Sequence, residues 1–386
     1  MKPLYYKESL ITWRFLQICL VLVLLNESNS NQFDPHVLPK YGPFFEGWYI
    51  RITESHSPVR FGLLFGHVIP EDASSVTPRV LATILYKTCQ DGNCPLKSID
   101  AFFNFSSVSI TAKGHRVTKD PDDESPANFE WVASSNTSMA IFKVVNDSTY
   151  FDFKLNGARL SGKVGRHIPW GPHGEGPEGP FIEHFPLPLS WFVYSLRSQI
   201  VHYEFQDPTT GIVWRSDNAV VHLEKNWGKS FPKAWIWAQG TSDVAYVALS
   251  GGLVTIATVD VLAYLIGYRN FAKNLSVNFQ PINSVTVSNH NGCRGYANLT
   301  VTSVLHKLIL NMTTNINQLS DCLYGPMKNG FTKACVESYD ANIEAVLYKK
   351  HLIDGFVEVD HQFILKTGLE FGGEYVCRNM CRPTVP

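Results

Sequence analysis

Apolar side chains recur along this chain at alternate positions, in short runs separated by polar, turn-rich segments. In Phe44–Thr53 the residues Phe44, Glu46, Trp48, Ile50 and Ile52 fall on one face, and Phe45, Gly47, Tyr49 and Arg51 on the other. A period of two predicts a strand. Arg60–Ile69, Val80–Thr88, Ala101–Ile110, Met139–Val145, Tyr150–Gly157, Trp191–Arg197 and Gln199–Gln206 repeat the pattern. It continues in Leu275–Phe279, Asn298–Asn311, Asn342–His351, Phe356–Leu365 and Leu369–Cys377. Helical periodicity is scarce, and only Val301–Leu310 fits either period. These runs predict a nearly all-β, antiparallel protein with one or two short helices.

The densest aromatic stretch is Val221–Gln239. Val220, His222 and Glu224 share one face of a predicted strand, Gly228 and Pro232 interrupt it, and a second strand follows. There Trp235, Trp237 and Gln239 share one face, and Ala234, Ile236 and Ala238 the other. Such a face suits a pocket as well as a core. A carboxylate among aromatics, such as Glu46 or Glu224, must be paired, protonated or functional. Val244–Tyr268 is long and apolar enough to suggest a membrane span, but its β-branched residues, the Gly251-Gly252 pair and Asp260 predict buried strands instead. Ile168–Pro180, dense in proline and glycine, reads as a lid or a domain connector.

Length and charge narrow the picture further. A chain of 386 residues exceeds the usual single core, so two domains or two packed sheets are expected. A net charge of −1 offers no basic footprint for nucleic acid. Lys2, Lys7 and Arg14 precede the apolar run Phe15–Leu25, which leads to small polar residues. That is the pattern of a secretory signal peptide over residues 1–30 with cleavage after Ser30. The remaining chain divides into expected domains at 31–215 and 216–386. Asn-x-Ser/Thr sequons at Asn104, Asn136, Asn146, Asn274, Asn298 and Asn311 suit a glycosylated protein of the secretory lumen or exterior. Of eight cysteines, Cys19 lies in the leader. Cys89 and Cys94 flank a turn and are expected to pair, whereas the pairing among Cys293, Cys322, Cys335, Cys377 and Cys381 stays open, with one left over.

Two aromatic motifs, Phe44-Phe-Glu-Gly-Trp-Tyr49 and Glu224-Lys-Asn-Trp-Gly-Lys-Ser-Phe-Pro-Lys-Ala-Trp-Ile-Trp237, resemble the tocopherol cyclase family. Val247–Leu253, Thr332-Lys-Ala-Cys335 and Leu369-Glu-Phe-Gly-Gly-Glu374 resemble further pieces of that family in the same order. The resemblance implies two lipocalin-like antiparallel β-barrel or sandwich domains packed together. It also implies an intramolecular cyclase that needs no cofactor or metal. An acid protonates the alkene of a prenylated hydroquinone, and the phenol oxygen captures the cation to close a chromanol ring.

That chemistry calls for an acid still neutral at working pH, electron-rich faces for the cation, and a deep apolar site. Glu224, Glu46 and His222 are the expected catalytic residues. Trp48, Tyr49, Asn226, Trp227, Trp235, Trp237 and Gln239 are the expected contacts to an apolar prenyl substrate, with peripheral membrane contact as a further expectation. Each also has a structural reading. Any of the indoles can be core, Glu46 and Glu224 can be salt-bridged to Arg51 or Lys225, and His222 can be a satisfied half-buried ring. A secreted carrier of an apolar ligand, without chemistry, would use the same residues.

Overall fold

The computed structural model describes residues 32–54, 57–89, 94–112, 115–116, 128–146, 148–172, 174–179, 188–256 and 259–381. The expected signal peptide lies outside the described residues. The first strands are β1 (Phe44–Thr53), β2 (Arg60–Ile69), β3 (Val80–Lys87), β4 (Lys97–Phe103), β5 (Val108–Ala112) and β6 (His115–Arg116). Next come β7 (Asn128–Ser134), β8 (Met139–Val145), β9 (Ser148–Leu155), β10 (Ala158–Val164), β11 (Leu189–Gln206), β12 (Val213–Ser216) and β13 (Val220–Gly228). The second half contributes β14 (Ala234–Thr241), β15 (Ala245–Ile256), β16 (Val259–Asn270), β17 (Leu275–Phe279) and β18 (Ser284–Asn291). It ends with β19 (Tyr296–Ser303), β20 (His306–Thr313), β21 (Leu323–Met327), β22 (Gly330–His351) and β23 (Gly355–Gly373). Two single 3-10 turns, Phe105–Ser107 and Ile316–Gln318, are the described helical elements.

All pairings are antiparallel and fall into two sheets. The first runs β4-β3-β2-β1-β13-β11-β10-β9-β8-β7-β5-β6, with β12 on β11. The second runs β17-β16-β15-β14-β23-β22-β20-β19-β18, with β21 on β22. Each sheet curls around its own core. Phe65 of β2 meets Trp131, Phe142 and Phe153 from the far side of the first sheet. Leu249, Ile266, Leu299, Leu310 and Phe371 fill the second. This is the lipocalin-like pairing of two β-domains.

The expected boundary at residue 215 differs from where the sheets change. β13 is hydrogen-bonded between β1 and β11, so the chain passes to the second sheet only between Gly228 and Ala234. The interruption by Gly228 and Pro232 therefore marks a change of sheet rather than a hairpin. Val244–Tyr268 forms the antiparallel pair β15–β16, and no described helix is long and apolar enough to cross a membrane. Val301–Leu310, ambiguous by period, is a hairpin of β19 and β20.

The described part of Ile168–Pro180 lies between β10 and β11, neighbours in the first sheet, and packs on the second. Arg269 of β16 donates to the Trp170 carbonyl at 2.6 Å and lies over its ring. The Trp170 indole also packs on Gly267, where a Cβ would come within 2.2 Å of the ring. Disulfides join Cys89–Cys94, as expected, and Cys293–Cys377 and Cys322–Cys381; Cys335 is free and buried. Three such bonds fit an oxidising compartment. Of the sequon asparagines, Asn104, Asn136, Asn146 and Asn274 are exposed, whereas Asn298 and Asn311 are half-buried and directly opposite one another on β19 and β20.

Candidate functional site

The central strands are buried on both faces, and period two decides which way each side chain points. On β1, Trp48, Ile50 and Ile52 enter the first core, and Tyr49 joins a third apolar cluster between the sheets. On β13, Val221 and Leu223 belong to the first core, so His222 and Glu224 turn to the shared layer. On β14, Ile236 and Ala238 belong to the second core, while Trp235 and Trp237 face back across that layer. β22 sends Cys335 and Tyr339 there, with Val336 turned to the second core. The shared layer thus receives polar and aromatic residues from both sheets.

Its hydrogen bonds fall into several separate groups. The Tyr49 hydroxyl donates to Glu337 Oε1 at 2.7 Å and lies 2.7 Å from the Tyr339 hydroxyl. Arg51 donates to Gln239 Oε1 at 2.6 Å, with its guanidinium over the Tyr339 ring. Glu224 Oε2 accepts from the Trp237 indole at 3.0 Å and contacts His222 Nε2 at 2.7 Å. His222 Nδ1 meets the Tyr246 hydroxyl at 2.9 Å. The Trp235 indole donates to Glu370 Oε1. That indole lies flat over Gly372, where a Cβ would sit 1.8 Å from a ring atom, so only glycine admits it there.

Glu337 and Glu370 occupy directly opposite positions on β22 and β23. Both are buried, and like charges so placed disfavour joint ionisation. Burial, reinforced by Glu370, pushes the Glu337 carboxyl well above its ordinary value. Burial raises Glu370 to about 7, with the Trp235 and Cys335 hydrogen bonds opposing it. Burial likewise raises the hydroxyls of Tyr49, Tyr246 and Tyr339. The layer therefore holds two carboxyls raised above their ordinary value beside indole rings. The indole N–H groups of Trp170 and Trp191, buried in the same layer, have no partner among the described residues.

Glu46 is different. It points into the first domain, where Lys225 Nζ lies 2.8 Å from its Oε1 and the His36 backbone N–H donates at 2.9 Å. Burial alone would raise its carboxyl, but Lys225 and His36 outweigh that and hold it down to about 2. Glu46, expected among the catalytic residues, thus lies outside the shared layer as the buried ion-pair partner of Lys225. Trp48 lies there too: its ring is part of the first core and its indole donates to the Phe33 carbonyl at 2.9 Å. Trp227, three residues from Glu224, turns to the opposite face and packs on His36 and below Lys225. Asn226 is half-buried at the end of β13. The layer therefore unites Glu224, His222, Tyr49, Trp235, Trp237 and Gln239, and leaves out Glu46, Trp48 and Trp227.

Glu337, Glu370 and Tyr339 are the site residues that sequence reasoning missed. A signal was present, since Glu337 and Glu370 each alternate with apolar neighbours as Glu46 and Glu224 do.

Fold and site together define a class: a lipocalin-like protein of two β-domains with acids and indoles in the layer they share. Residues 208–373 match the family described as tocopherol cyclase-like. The span contains Glu224, Trp235, Trp237, Glu337 and Glu370. Among solved structures, CghA with Sch210972 is similar at TM-score 0.59 and 13% identity, over 90% of this chain and 97% of that one. A second CghA structure gives TM-score 0.58 and 12% identity, over 91% of this chain and 97% of that one. At such identities the likeness is one of fold. No curated protein matches the sequence.

Proposed function

We propose that this protein closes a chromanol-type ring in a prenylated hydroquinone or related terpenoid lipid, by protonating its alkene in the layer between the two sheets. The observation that carries the reading is the Glu337–Glu370 pair, two buried acids placed opposite one another beneath two indoles. A neutral carboxyl delivers its proton to the less substituted alkene carbon, forming a C–H bond and leaving a tertiary cation. Trp235 and Trp237 offer π-faces to that cation. The substrate's phenol oxygen then forms the C–O bond, and its proton returns to the carboxylate, so the reaction is an isomerisation with no net redox change. Tyr49, hydrogen-bonded to Glu337, orients the acid, while Glu224 and His222 relay the phenol proton on its way back to the carboxylate.

Incubating the purified chain with a prenyl hydroquinone tests this directly. Conversion to a product of equal mass and different retention supports it. Recovery of bound but unchanged lipid favours the carrier reading instead. That reading draws on the hydrogen bonds already satisfied between Trp235 and Glu370 and between Tyr49 and Glu337. A protein that turns over equally well as Glu370→Gln and as Glu337→Gln removes the pair from the mechanism.

A further inference from the structure

One end of the second sheet ends in apolar side chains that nothing among the described residues covers. Leu352 and Ile353 form the β22–β23 turn and keep 107% and 94% of their surface exposed, and Val304, at the β19–β20 turn, keeps 77%. Leu305 beside it and Ile282 and Val285 at the start of β18 are also exposed. The sheet places these turns side by side. Lys350 donates its backbone N–H to the Leu305 carbonyl at 2.8 Å, and Ser284 pairs with Ser303. The apex is therefore one convex apolar tip drawn from three separate turns.

The charges around it are arranged by depth. Lys349 and Lys350 are exposed in the last residues of β22, with His351 following, and His306 is paired with Lys349 across the ladder. Lys307 stands on the same level with its ammonium over the Tyr348 and Phe356 rings. Asp354 lies within the turn and Glu358 further down β23. The three lysines set just behind the apolar apex outnumber the two acids, Asp354 in the turn and Glu358 below it, by one, in a chain of net charge −1. A bilayer has the same order, acyl chains within and anionic headgroups outside, and long lysine side chains reach back to headgroup level.

We infer that the tip formed by Val304, Leu305, Leu352 and Ile353, with its collar of Lys307, Lys349 and Lys350, docks this protein on an anionic lipid surface. The apex inserts and the collar meets the headgroups. An apolar pocket on a protein partner would match the apex but not the cationic collar around it.

The test is co-sedimentation of the purified chain with vesicles of phosphatidylcholine, with and without phosphatidylserine. Binding should appear on the phosphatidylserine vesicles and weaken with added salt. The double substitution Leu352→Ser, Ile353→Ser and the double substitution Lys349→Gln, Lys350→Gln should each weaken it by about tenfold or more. Val76→Ser, at an exposed valine in another loop, should bind as the parent does. Failure of the parent chain to sediment, or unchanged binding of the Leu352/Ile353 variant, overturns the inference. Equal loss in Val76→Ser would also overturn it, by showing that binding is not specific to the tip.

Discussion

Two buried acid sites sit within the central strands of this molecule, and they have opposite electrostatics. Glu46 lies in the first domain with Lys225 and His36 at hydrogen-bond distance and is held ionised down to about 2. Glu370 lies between the domains with an indole, a thiol and a second carboxylic acid as neighbours, and burial raises it to about 7. Burial acts in the same direction on both. What separates them is whether a cation is close enough to reverse it. A buried acid on an aromatic strand is thus ambiguous in itself, and its role follows from the charge that the fold delivers beside it.

The largest effect should come from removing that cation. Lys225→Met leaves Glu46 buried without its ammonium partner, which should destabilise the fold by about 3–5 kcal/mol, read by urea unfolding. Adding Glu46→Leu should restore much of that loss. If Lys225→Met alone is harmless, Glu46 is not ionised and the comparison fails. In the shared layer, Glu337→Gln should lower turnover of a prenyl hydroquinone by about 100-fold or more with little loss of stability, because the amide cannot supply the proton. Glu224→Gln should have a smaller effect, about tenfold, since it weakens the support of Trp237 and His222 without removing the donor. A greater loss in Glu224→Gln than in Glu337→Gln would return the proton-donor role to Glu224.

The two sites should also respond oppositely to pH. Glu370 is raised from its ordinary 4.5 to about 7, so its contribution to stability is fully present below 4.5 and is lost as pH rises through about 7. Glu46 is lowered from 4.5 to about 2, so its contribution is present above 4.5 and is lost as pH falls toward 2. Melting temperature followed against pH should show a loss on the alkaline side that Glu370→Gln reduces. The loss on the acid side should persist in that variant.

Much of this architecture was legible in the sequence, because a sheet writes its faces as alternation. Trp235, Trp237 and Gln239 were expected on one face and are found together in the layer or bonded within it. The Cys89–Cys94 loop and the reading of Val244–Tyr268 as strands follow the same local logic. What local pattern could not supply was pairing between distant strands. Trp227 looks adjacent to Glu224, yet an odd separation sends it to the other face. Lys225 is far from Glu46 in sequence, and only the β1–β13 ladder brings the two together. Glu337 and Glu370 become a pair only because β22 and β23 align them. Long stretches of period-two sequence identify the faces without saying which face meets which.

The most direct test is the pH dependence of prenyl hydroquinone turnover in the parent chain and in Glu370→Gln. The parent should be active at low pH and lose turnover as pH rises through about 7, where the coupled Glu337–Glu370 pair gives up its first proton, and Glu370→Gln should be depressed across the range. A rate that rises with pH through that region, or a Glu370→Gln profile superimposable on the parent's, would contradict a neutral carboxyl in the shared layer as the source of the proton.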